Sequence, residues 1–171
     1  MIYATEWPQF YTSTILNWHH HLEEDKYKNM IVESLQFCIK ESKAKLYAFV
    51  LMSNHIHLIW QQIPPITKTR LQHSFMTFTA QKIKEDLQKN NPTLLESFKV
   101  NAKDRMYQIW ERNPLTIDLF SPKVFHQKIE YVHYNPVKAG LCLHPDDYYY
   151  SSAKFYATGI DEFNMLTHYD G

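Results

Sequence analysis

Leu46-Tyr47-Ala48-Phe49-Val50-Leu51-Met52-Ser53-Asn54-His55-Ile56-His57-Leu58-Ile59-Trp60 is the stretch that decides the architecture. Two runs of aromatic, β-branched and other apolar residues are interrupted once, at Ser53-Asn54, residue types that favour tight turns. The stretch predicts two strands joined as a hairpin. Pro64 and Pro65 end the unit, because proline lacks the N–H that a sheet interior needs. His55 and His57 are the exceptions in the second run. Strand side chains alternate between faces, so both imidazoles point one way, with Cα atoms roughly 7 Å apart, while Ile56 points into the core. Two neutral imidazoles at that spacing can converge on a divalent ion such as Mn²⁺ or Zn²⁺. The same pattern also suits two polar residues on an exposed strand face.

Outward from the hairpin the order of elements is readable. Upstream, Phe10-Tyr11-Thr12-Ser13-Thr14-Ile15-Leu16 predicts a first strand. From residue 25 to about residue 43, Tyr27, Met30, Ile31, Ser34, Leu35, Cys38 and Ile39 recur at helical spacing, the pattern of an amphipathic helix. Downstream, residues 67–90 carry Leu71, Phe75, Phe78, Ile83 and Leu87 and predict a second long helix. Residues 107–110 and 116–120 read as short strands. Ser121-Pro122 opens a third helix, with Ser as N-cap and Pro at the first helical position. That helix runs through Val124, Ile129 and Val132 and is expected to falter near Asn135-Pro136, since a residue before proline is pushed out of the α region. Gly140 marks its end. Tyr148-Tyr149-Tyr150-Ser151-Ser152 reads as a loop or short strand.

This β-α-β-β-α-(β-β)-α order, without repeats or linkers, predicts residues 1–171 as a single α+β domain. The class is a ferredoxin-like or RRM-like antiparallel sheet with two long helices packed on one face and an additional C-terminal helix.

The third helix holds a second candidate constellation. Tyr131 and Asn135 are four residues apart in Ile129-Glu130-Tyr131-Val132-His133-Tyr134-Asn135-Pro136-Val137-Lys138-Ala139-Gly140. Residues i and i+4 share a helix face, so a phenol that can attack and an amide oxygen that can ligate a metal address one point. His133 lies about 200° round the helix from Tyr131 and faces elsewhere. A tyrosine at a core edge and an asparagine that ends a helix are the plainer readings of the same residues.

Composition bounds the rest. A chain of 171 residues with 44% hydrophobic residues and three Gly is large enough to bury a core without staples. Two cysteines, Cys38 and Cys142, make no disulfide framework, so a reducing cytoplasmic setting is expected. The start MIYATEWPQF has no signal-peptide pattern, and no run approaches the roughly 20 apolar residues of a membrane helix. The net charge of zero hides a distribution: residues 1–25 carry −4, residues 26–138 carry +8 and residues 139–171 carry −4. A basic body between acidic ends still offers a phosphate-binding face.

Residues 47–60 together resemble the signature strand pair of the His-hydrophobe-His single-tyrosine transposases. Residues 131–141 resemble the catalytic-helix motif of their REP-associated branch. Trp110-Glu111-Arg112 is similar to its usual Trp-x-Arg, and Tyr150-Ser151-Ser152-Ala153 to its tail motif. The family more often has Pro where Ser53 stands, a change in a turn and not in a ligand. The resemblance implies a DNA transposase that cleaves and rejoins single-stranded DNA, with Tyr131 as nucleophile forming a 5′-phosphotyrosine. It further implies a divalent metal, Mg²⁺ or Mn²⁺, held by His55, His57 and Asn135, and a hairpin-forming single strand as partner. Some relatives are monomers and others dimers that exchange the tyrosine helix, so a homodimer is open. Lys99, Lys103, Arg105, Arg112 and Lys138 are candidate DNA contacts, and Tyr107, Trp110 and Tyr134 candidate stacking aromatics. Two rival readings use the same fold: a catalytically silent single-stranded DNA or RNA hairpin-binding module, and a phosphodiesterase that uses water, with Tyr131 structural.

Overall fold

The computed structural model describes residues 6–170. Four strands, β1 (Gln9–Thr14), β2 (Ala44–Leu51), β3 (His55–Gln62) and β4 (Leu115–Asp118), form one antiparallel sheet in the order β2-β3-β1-β4. With α1 (Asp25–Lys40) between β1 and β2, and α2 (Lys68–Asn90) between β3 and β4, this is the expected ferredoxin-like topology. The β2–β3 hairpin turns at Ser53-Asn54, closed by the Met52 N–H donating to the His55 carbonyl at 2.9 Å.

β1, β2 and β3 each feed two cores. Tyr11, Leu46, Phe49, Leu51, Ile56, Leu58 and Trp60 pack on one face against Tyr27, Ile31 and Leu35 of α1 and Leu71, Phe75 and Ile83 of α2. On the opposite face Phe10, Ala48, Val50 and Ile59 pack against Ile129 and Val132 of the tyrosine helix. A register shift between Leu46 and Ala48 resets the alternation, so that Leu46 and Phe49 share one face and Ala48 and Val50 the other.

Several elements differ from the sequence expectation. Residues 107–110 are no strand; Tyr107 and Trp110 make only isolated bridges, to Lys99 and Ile15. Two short helices were not foreseen, α3 (Pro92–Glu96), capped by the Asn91 side chain, and α5 (Ala153–Thr158). Phe78 is exposed, and Thr79 takes the buried position, accepting from Trp110 Nε1 at 3.0 Å. The third helix, here α4 (Pro122–Lys138), does start as expected, with Ser121 Oγ accepting from the Val124 N–H. It does not falter at Pro136, which lies buried inside it. The packing of Ile129, Val132 and Pro136 outweighs the local penalty, and the helix runs on to Lys138, with Gly140 just beyond it in a left-handed conformation, φ 74°.

Candidate active site

His55 opens β3 and His57 sits in mid-sheet, opposite Thr12 of β1 and Val50 of β2. Both imidazoles face α4, while Ile56 between them is fully buried in the opposite core. Their ring centroids are 4.8 Å apart. His57 is 4% exposed. It stacks on Phe10, and its Nδ1 meets Thr12 Oγ1 at 2.7 Å. Its Nε2 is buried without a hydrogen-bond partner. Such a nitrogen costs about 1–3 kcal/mol if left unmet. His55 Nδ1 pairs with Asn54 Oδ1 at 2.7 Å, and the Asn135 side chain reaches the same ring from α4.

Burial holds both rings neutral. Desolvation, helped by the closeness of a second imidazole at His55 and of the Lys128 ammonium, pushes His57 down to about 3. His55 is lowered chiefly by burial and also by nearby His20, with Asn135 opposing. Neutral imidazole is the form that ligates a metal. Among the described residues no three His, Cys, Asp or Glu are grouped to hold an ion, so Asn135 is the side chain at hand to complete a set with the two histidines. The orphaned Nε2, the paired rings and the amide beside them fit a divalent cation.

Tyr131 projects from α4 over this pair. Its ring is 5.3 Å from His57 and 5.8 Å from Phe10, edge-on to both, and it is 40% exposed. Lys128 Nζ and Lys138 Nζ lie 5.3 and 5.4 Å from the ring centroid. Lys138 is one of the candidate DNA contacts read from the sequence. Lys128 is not, although its place three residues before Tyr131 puts it on the same helix face.

A buried polar lock fixes α4 in place. His133, facing away from Tyr131 as expected, meets Ser152 Oγ through Nε2 at 2.7 Å. The Phe49 N–H donates to the same Ser152 Oγ at 2.9 Å, and the Ser152 N–H donates to the Phe49 carbonyl at 3.0 Å. The Tyr150-Ser151-Ser152 tail thus lies along β2, with Ser151 bridging Val50, and ties the tyrosine helix to the sheet.

The other predicted contacts lie elsewhere. Lys99, Lys103, Arg105 and Arg112 belong to residues 97–114, a segment that packs with α2 rather than α4. Lys99 pairs with Glu96, and Arg105 and Arg112 both pair with Asp104. Arg105 and Arg112 line a cleft of about 630 Å³ with Gln72, His73 and Lys84 of α2. Of the candidate stacking aromatics, Trp110 is core at 4% exposed, Tyr107 hydrogen-bonds Glu96, and Tyr134 is exposed. No helix among the described residues is long and apolar enough to cross a membrane.

No family model and no curated protein sequence matches the chain. Solved structures do. A REP-associated tyrosine transposase bound to a REP hairpin is similar over 94% of this chain and 86% of its own, with a TM-score of 0.66 at 16% identity. A candidate transposase from Deinococcus radiodurans is similar over 77% of this chain and 92% of its own, with a TM-score of 0.50 at 12% identity. At these identities the likeness is one of fold. The chain has the fold of the REP-associated tyrosine transposases, with His55, His57, Tyr131 and Asn135 gathered on the α4 side of its sheet.

Proposed function

We propose that this protein is a transposase of the REP-associated tyrosine type, a metal-dependent enzyme that cleaves and rejoins hairpin-bearing single-stranded DNA. The observation that carries the reading is the juxtaposition of two neutral histidines, rings 4.8 Å apart, with the Tyr131 ring 5.3 Å from His57. His57 Nε2, His55 and the Asn135 side chain would hold the cation, Mg²⁺ or Mn²⁺. When bound, it supplies a Lewis acid that neutralises charge on a phosphate oxygen and orients the phosphate for in-line attack.

The chain's own residues do the rest. Tyr131 Oη attacks phosphorus, the O–P bond forms and the bond to the 3′ oxygen breaks. The phenol proton is given up to solvent, and the leaving 3′ oxygen takes one to become a free 3′-OH. The product is a 5′-phosphotyrosine, which keeps the phosphodiester energy for a 3′-OH to reverse the step and rejoin strands. Lys128 and Lys138, flanking the ring, counter the negative charge of the strand beside the nucleophile. The rigid Phe10 and His57 rings beneath Tyr131 limit its rotamers, so the hydroxyl approaches from one direction.

The test is an adduct. Protein is incubated with Mn²⁺ or Mg²⁺ and labelled single-stranded DNA carrying a hairpin, and an SDS-resistant protein–DNA band is expected. Tyr131→Phe abolishes it, and His57→Ala lowers it by at least 100-fold. A band that survives Tyr131→Phe refutes the nucleophile. Cleavage without a band points to the water-using phosphodiesterase, and binding alone to the silent hairpin-binding module.

A further inference from the structure

Residues 16–21, which join β1 to α1, are held in an unusual shape at the sheet end that carries His55. Asn17 and Trp18 both have left-handed backbones, φ 54° and 57°, a conformation that is unfavourable for an L-residue and rare in two successive non-glycines. The surroundings enforce it. The Leu16 N–H donates to the Ile109 carbonyl at 2.8 Å and the Asn17 N–H to Glu111 Oε1 at 2.7 Å. On the hairpin side, the Ile15 and Leu22 N–H groups donate to the Asn54 and Ser53 carbonyls, each at 2.8 Å. Ser53, the residue that departs from the transposase pattern, meets His20 Nδ1 through its hydroxyl at 2.6 Å.

Leu16 and His21 of this segment are buried, but the strained Asn17 and Trp18 are both exposed. Trp18 is 62% exposed, whereas Trp60 and Trp110 are 2% and 4% exposed and Trp7 39%. His20 is exposed too, and it lies close to His55. A strained segment pinned at both ends, presenting an indole and an imidazole beside a candidate catalytic pair, has the character of a ligand clamp. An indole face takes up an unstacked base whatever its identity, and an imidazole N–H donates to a phosphate oxygen. Glu23 and Glu24 share a cleft with His19, His20 and His21; the two carboxylates repel phosphate, so the polynucleotide backbone meets His20 away from them.

We propose that residues 16–21 form a nucleotide clamp beside the His55–His57 pair, in which Trp18 stacks on a base of the single strand and His20 hydrogen-bonds the adjoining phosphate. Trp18 and His20 are positioning residues that seat the strand for Tyr131, a role that rests on the function proposed above. Ser53 sets the His20 ring through Nδ1 and leaves Nε2 for the DNA.

The experiment separates binding from chemistry. Tyr131→Phe protein in EDTA is titrated with an oligonucleotide that carries a hairpin and a single-stranded flank. Tryptophan emission and the anisotropy of an end label are followed together. Binding is expected to quench the emission. Adding Trp18→Phe removes most of the quench and changes affinity less than about threefold, since a phenyl ring still stacks. Trp18→Ala weakens binding by about 5- to 150-fold, the span of one lost base stack, and His20→Ala weakens it by about tenfold. Affinity within twofold of the parent in Trp18→Ala, or an undiminished quench in Trp18→Phe, overturns the clamp. If the adduct forms while Trp18→Ala binds normally, the clamp falls and the catalytic reading stands. If the quench follows Trp18 but no adduct forms, the clamp stands and the catalytic reading falls; no binding to any single strand overturns both.

Discussion

Replacing Ser152 with alanine tests whether the tail locks the tyrosine helix to the sheet. Ser152 is fully buried, and its hydroxyl meets the Phe49 N–H at 2.9 Å, His133 Nε2 at 2.7 Å and the Phe49 carbonyl at 3.3 Å. Alanine removes that oxygen and leaves the Phe49 N–H and His133 Nε2 without it, while the Phe49 carbonyl keeps its bond from the Ser152 N–H. Each unsatisfied buried group costs about 1–3 kcal/mol, so the substitution costs about 2–6 kcal/mol, a large share of the ~5–15 kcal/mol that holds a domain of this kind together. In a His133→Phe background only the Phe49 N–H is orphaned, and the cost falls to about 1–3 kcal/mol. The coupling energy is therefore of the same size as one lost partner. Urea unfolding of the four proteins at neutral pH in EDTA measures it. A cost below about 1 kcal/mol for Ser152→Ala, or additivity of the two changes within ~0.5 kcal/mol, refutes the lock.

Two further outcomes follow from the site's surroundings. Thr12→Val deprives His57 Nδ1 of its partner at 2.7 Å, so Mn²⁺ affinity measured by calorimetry falls by about 10- to 100-fold while the fold is kept; unchanged affinity shows that the hydroxyl does not orient the ring. The second outcome concerns acid. Burial lowers both His21 and His133 to about 4, whereas the unfolded chain takes up these protons near 6.5. Stability is thus complete above about pH 6.5 and is lost as pH falls toward 4, by roughly 2 kcal/mol per histidine at pH 5. Buried His57, held down to about 3, and His55 add to the same slope, so His133→Phe removes no more than about a third of it in urea midpoints taken from pH 7.5 to 4.5. An unaltered slope assigns the acid sensitivity elsewhere.

The fold was legible wherever one physical signal dominated. The hairpin stands out because two dense apolar runs flank a clear turn, and α1 and α2 because apolar residues recur at helical spacing. The failures have specific causes. Pro136 reads locally as a helix stop, but the proline ring's cost is offset by packing from residues far away in sequence, which no local pattern contains. Residues 107–110 have strand-like composition, yet a strand needs a free edge to pair with. Leu115–Asp118 takes the edge beside β1, and Trp110 goes to Thr79 instead. The exposure of Phe78 and burial of Thr79 likewise depend on Trp110 supplying a partner for a hydroxyl.

The site divides along the same line. His55 and His57 were readable because a strand fixes where residues i and i+2 point. Tyr131 and Asn135 were readable because a helix fixes i and i+4. That the two pairs meet is a property of the sheet's second face, and α4 reaches that face only because Phe10, Ala48, Val50 and Ile59 make it apolar. The same alternation that gives His57 its direction also buries it beneath the helix, and so leaves its Nε2 without a partner. A histidine serving only to fill that face would be replaced at lower cost by an apolar residue, because the orphaned nitrogen destabilises the fold by about 1–3 kcal/mol. His57→Leu therefore separates the two roles: a gain in urea stability together with loss of the covalent adduct means that this nitrogen is kept for the reaction and not for the fold.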